Sequence, residues 1–85
     1  MTQMIEEVYL HNRGRYYVKE LHDVKLIENE YWLECSWRGL ETEEKTWERY
    51  DDLKVEIPQL VHDFLLSIRD DNHIAQLLLK DFINN

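Results

Sequence analysis

The sequence predicts an α+β domain in which a three-stranded antiparallel curved sheet packs against a C-terminal helix, with an extra helix beyond it. Two observations carry this. Tyr31, Leu33, Cys35 and Trp37 alternate with Trp32, Glu34 and Ser36, the period of a half-buried strand. From Pro58 the period changes, and Leu60, Val61, Phe64, Leu65 and Ile68 fall at helix spacing.

The elements follow in order. Residues 1–14 are an N-terminal extension in which Met4, Ile5 and Val8 fit a helical turn, while Val8 and Leu10 equally fit a strand. His11-Asn12-Arg13-Gly14 is a turn signal. A strand near residues 15–27 is rich in Tyr, Val, Leu and Ile, but neither parity stays apolar, which predicts a bend or bulge near its middle. Glu28-Asn29-Glu30 is a polar break of hairpin length, leading to a second strand near 30–38. Arg38-Gly39 turns the chain, and a charged connection leads to a short third strand near 45–49 around Thr46-Trp47-Glu48. Lys54-Val55-Glu56-Ile57 reads as a lengthened link. The first helix is expected from Pro58, suited to a first turn, to about Arg69. Asp70-Asp71-Asn72 can end it and cap a second helix over 73–83, whose stripe is Ile74, Leu77, Leu78 and Phe82. The chain thus divides into a module over 15–69 flanked by extensions at 1–14 and 70–85.

Bulk composition narrows the function. Eighty-five residues make one domain near the lower end of what folds alone. The chain is 44% apolar and 12% aromatic with two Gly and one Pro, which supplies a core and argues against disorder. A core of this size has little to spare for a deep catalytic cleft. Ten basic residues stand against 18 acidic ones, a net charge of −8. That charge repels a phosphate backbone and suits a cationic partner or simple solubility. A single cysteine, Cys35, allows no internal disulfide and reads as a small core residue. With no signal-peptide pattern and no apolar run near the ~18 residues of a membrane span, a reducing intracellular compartment is expected and no membrane.

Constellations for chemistry are weak. His11, His22, His62 and His73 include no pair spaced i, i+3 or i, i+4, so no metal site is expected. Cys35, Ser36 and Ser67 lack a recognisable base and orienting group. The acidic pairs Glu6-Glu7, Glu43-Glu44, Asp51-Asp52 and Asp70-Asp71 lie in polar segments and read as solvated surface. No glycine loop could cradle a phosphate. No catalytic residue, cofactor or enzyme activity is therefore expected. The aromatic set remains: three Trp and five Tyr serve first as core payload, though aromatic faces also attract alkylated ammonium groups.

One ordered series of segments resembles a known family. Tyr16-Tyr17-Val18-Lys19-Glu20, then Tyr31-Trp32-Leu33-Glu34-Cys35-Ser36-Trp37-Arg38-Gly39-Leu40, then Thr46-Trp47-Glu48 and Leu53, then Pro58-Gln59-Leu60-Val61-His62-Asp63-Phe64-Leu65 are similar to the chromodomain. The match spans roughly residues 15–68 and is most similar to chromodomains of retrotransposon polyproteins and of heterochromatin proteins. The resemblance implies a nuclear chromatin-binding module that takes a histone tail, or another chromatin protein, as an added strand, with a methylated lysine in an aromatic cage. Tyr16 and Trp37 match the first two cage aromatics, Leu40 stands at the third, and Glu44 matches an accompanying acid. Val18, Glu48 and Asp52 match the peptide groove, and Trp47 a structural tryptophan. Leu40 has no π-face, so the cage is incomplete by one wall, worth up to ~2 kcal/mol. Lys19 and Arg49 replace a usual Glu and Pro. A retroelement-derived targeting domain is one form of this reading. The rival is a methylation-independent interaction or homodimerisation module of the same fold, with the C-terminal helices as contact surface. A nucleic-acid-binding small barrel is disfavoured by charge.

Overall fold

A computed structural model describes residues 8–11, 14–38 and 45–84. It is α+β: four antiparallel strands in the order β1-β2-β3-β4 and three helices. The strands are β1 (Val8–His11), β2 (Gly14–Ile27), β3 (Glu30–Trp37) and β4 (Thr46–Arg49), and the helices α1 (Tyr50–Glu56), α2 (Pro58–Ile68) and α3 (His73–Asn84). The curved sheet packed on C-terminal helices agrees with expectation, with one strand and one helix more than the sequence reading contained.

The muddled alternation of β2 has a simple cause. Val18 opposes Trp37, Leu21 opposes Cys35 and Val24 opposes Leu33, with register shifts between Val18 and Glu20 and between Leu21 and Asp23. Lys19 and His22 are thus extra residues, and each bulge lengthens the core-facing repeat from two residues to three. The strand bends as expected. Its first part pairs with β1 and the remainder with β3. Glu28 and Asn29, with φ of 51° and 67°, form the two-residue turn into β3, the left-handed geometry that matches sheet twist.

The face of β3 carrying Leu33, Cys35 and Trp37 meets the helices. Leu33, Cys35, Leu53, Ile57, Val61 and Leu65 are fully buried, and Val24, Tyr50, Ala75, Leu78 and Leu79 complete the core with Tyr9, Val18 and Trp37. The expected link at 54–57 is instead the end of α1. Tyr50, Leu53 and Ile57 fall three and four residues apart and are all buried, so one face of a short helix is in the core. Pro58 occupies the first turn of α2. Asn72 Oδ1 accepts from the Ala75 amide at 3.0 Å and caps α3. Tyr50 Oη donates to Asp81 at 3.0 Å and Lys54 pairs with the same carboxylate at 2.9 Å. Among the described residues, β1 thus extends the sheet of the 15–69 segment and α3 adds to its core.

Candidate functional site

The site is a strip at the β1 end of the sheet, built on the Trp37 ring. Trp37 closes β3 opposite Val18. Its Nε1–H donates to Thr46 Oγ1 at 3.0 Å, which ties the ring to the start of β4. Its face is stacked on Tyr9, with centroids 5.9 Å apart and planes 25° from parallel. Only 5% of Trp37 and 4% of Tyr9 remain exposed. The indole is thus almost wholly buried, with the Tyr9 ring stacked on it.

Tyr9 reaches this position because β1 runs antiparallel to β2, with Val8 opposite Tyr17 and Tyr9 opposite Tyr16. On its other flank β1 packs on α1. Burial pushes the Tyr9 hydroxyl well above the usual tyrosine range, and the carboxylates of Glu48, Asp52 and Glu56 add to the effect. Three acids therefore lie within electrostatic reach of one phenol. Glu48 opposes Leu33, which puts it on the helix-facing side of β4, while Asp52 and Glu56 are one helical turn apart on α1. Burial, with Glu48 and Glu34 adding, also raises the Cys35 thiol, so Cys35 is a neutral core group with little thiolate character.

Of the residues singled out by resemblance, Val18, Trp37, Glu48 and Asp52 come together here. Tyr16 is paired in backbone register with Tyr9, and its side chain, like Leu40 and Glu44, lies outside the described residues. Trp47 sits on the opposite face of the sheet, half-buried, with Lys25 Nζ 3.9 Å from its ring centroid. Sequence reasoning missed Tyr9 and Glu56. Glu56 was detectable as the residue four beyond Asp52, once a helix there is recognised. Tyr9 carried no signal beyond Val8 and Leu10.

Two further clusters fall elsewhere. On the outer face, His22 Nε2 lies 2.8 Å from Ser36 Oγ, and Glu20 Oε2 is 3.9 Å from His22 Nδ1. The Glu–His separation exceeds a hydrogen bond, and Ser36 Oγ is also 3.5 Å from the Glu20 carbonyl. The arrangement clamps the second bulge across to β3. An open cleft of about 280 Å³ between β3, α1 and α3 is lined by Tyr31, Tyr50, Lys54, Leu77 and Asp81 among others. Among the described residues no group of three His, Cys, Asp or Glu is placed to hold a metal ion, and no helix is long and apolar enough to cross a membrane. No protein family, curated protein or solved structure matches this chain.

Proposed function

We propose that this chain is a chromodomain-like reader that takes a lysine-rich histone tail as an added strand in the acidic strip between β2 and α1. One observation carries the reading: a single extended segment lays Tyr9 on Trp37, which stands opposite Val18, with Glu48 and Asp52 within electrostatic reach of the Tyr9 phenol. Backbone pairing would supply affinity for any extended peptide. The carboxylates would select a cationic one, and the Trp37 face would favour an alkylated ammonium by cation–π attraction. A nuclear, chromatin-associated role follows from this ligand. Binding that uses the tail's backbone and charge, with only a weak preference for methylation, fits a cage in which Leu40 replaces an aromatic.

The test is a nuclear magnetic resonance titration of the full chain with one lysine-rich tail peptide in unmethylated and trimethylated forms. Shifts at Val18, Trp37, Glu48 and Asp52, larger for the trimethylated peptide, support the reading. Glu48→Gln with Asp52→Asn should weaken binding and its salt dependence without touching the apolar core. Leu40→Tyr should strengthen trimethyl-lysine binding by up to ~2 kcal/mol. No shifts with either peptide would end the proposal.

A methylation-independent protein-interaction module is the second reading, favoured by the burial of Trp37 beneath Tyr9. Equal shifts with both peptides and no response to Leu40→Tyr would select it. Appreciable binding to duplex DNA is expected of neither reading at net charge −8.

A further inference from the structure

The strip is already occupied. β1 pairs along β2, lies against α1 and lays an aromatic ring on Trp37, as an added peptide strand would do. We propose that β1 is an internal ligand: Val8–His11 fills the strand-binding slot of the free chain, and a cationic extended peptide binds by displacing it. The inference rests on the peptide-reader reading and adds its gate.

Three features make β1 a replaceable occupant. It is four residues long and an edge strand, bonded to β2 alone within the sheet. Its described side chains are Val8, half-buried, and Tyr9, which is 4% exposed and seats the strand on Trp37. Among its described side chains, the one within electrostatic reach of Glu48, Asp52 and Glu56 is an uncharged phenol, and the residues just before the strand in sequence are Glu6 and Glu7. A strand bearing lysine or arginine would match the acidic strip better than the chain's own segment does. Because the binding-competent state is the one with β1 released, apparent affinity is reduced by the fraction of time the slot is closed.

Two full-chain variants move that fraction in opposite directions. Tyr9→Ala removes the ring that seats β1. Leu10→Cys with Arg15→Cys joins a cross-strand pair opposed in register, and its disulfide locks β1 in place. The buried Cys35 is shielded from exchange with the new thiols. Titrated with the trimethyl-lysine peptide, Tyr9→Ala should bind about tenfold tighter than the parent chain, and the oxidised lock about tenfold weaker, recovering on reduction. If Tyr9→Ala binds more weakly and the lock has no effect, β1 is a wall of the site, and the gate falls while the peptide reading stands. Unfolding of Tyr9→Ala would overturn the gate too, since it would make the ring integral core. If no variant binds either peptide, the peptide reading fails, and native-state hydrogen exchange decides the gate alone. Paired β1 amides exchanging by a local opening at least about 100-fold more frequent than that of Leu33 would retain a releasable strand. Exchange of those amides only through global unfolding would overturn it.

Discussion

Two segments close this domain, and they do so by different physics. At one corner α3 brings Ala75, Leu78 and Leu79 into the core, sets Phe82 edge-on to Tyr50 at 6.1 Å, and offers Asp81 to two donors. At the other, β1 contributes four residues and one ring over Trp37. The first corner distributes its attachment over three turns of helix, so no single loss frees it. The second is a four-residue edge strand seated through Tyr9, so on the displacement proposal the loss of that ring frees it. A segment of the first kind belongs to the scaffold, and one of the second kind is suited to exchange.

The largest test of this contrast is on α3. Leu78 is 3% exposed and lies where α3 meets the core, so Leu78→Ala should cost roughly 2–5 kcal/mol through lost transfer energy and a cavity that neighbouring helices cannot refill. Denaturant unfolding should show this as a global shift of the midpoint with an unchanged slope.

Tyr9→Ala comes next and should cost less, although the ring is equally buried. A trapped core aromatic is worth about 3–5 kcal/mol on truncation. Here the loss is capped by the free energy that holds β1 down, because the strand can leave with the rest of the domain intact. About 1–2 kcal/mol is expected, with a reduced slope as less surface remains to be exposed. A cost equal to that of Leu78→Ala would erase the distinction between the corners.

Asp81→Asn is smaller again. It leaves the side chain in place but removes the charge that pairs with Lys54 and accepts from Tyr50. Lys54 and Asp81 are a quarter to nearly half exposed, which screens the pair. The expected loss is about 1 kcal/mol, mostly the weakened Tyr50 hydrogen bond. The α3 amides should stay protected, since the apolar contacts hold.

Why one corner was legible in the sequence and the other was not follows from the same contrast. α3 advertised itself through Ile74, Leu77, Leu78 and Phe82 at helical spacing, and Asn72 at its start. Strand β3 was as clear, because every second residue enters one core. β2 was readable only as irregular: bulges at Lys19 and His22 break a period that makes sense once Val18, Leu21 and Val24 are seen on one face. α1 was hidden by its length, since Tyr50, Leu53 and Ile57 span barely two turns and the acids between them resemble a loop. β1 was undecidable, because four residues carry no period and their strand character comes from the partner they find. The same applies to the site. Val18, Trp37, Glu48 and Asp52 could be named by resemblance, but the placing of Tyr9 on Trp37 and within reach of Glu48 and Asp52 is a property of tertiary structure alone.

The smallest effect, and the one that separates the corners without a mutation, is alkaline titration. Tyr9 and Tyr50 are both raised chiefly by burial, Tyr9 with the nearby carboxylates adding and Tyr50 with its hydrogen bond to Asp81. A raised tyrosine keeps the folded form neutral, so its contribution is complete below the unfolded value near 10 and declines as pH climbs toward the folded one. At pH 10 each group costs only about 0.4 kcal/mol, the free energy of half-ionising the unfolded side chain. Tyr50 can ionise only by breaching the α3 corner. Tyr9 has the cheaper route of releasing β1, so its apparent titration should stop about one unit above the ordinary value if release costs about 1–2 kcal/mol. Ring resonances followed from pH 8 upward should therefore show Tyr9 titrating before Tyr50, accompanied by loss of its contact with Trp37 while Leu33 and Leu65 keep their native shifts. Simultaneous titration of both rings with global unfolding would mean that the two corners are held equally, and that β1 is as much a part of the scaffold as α3.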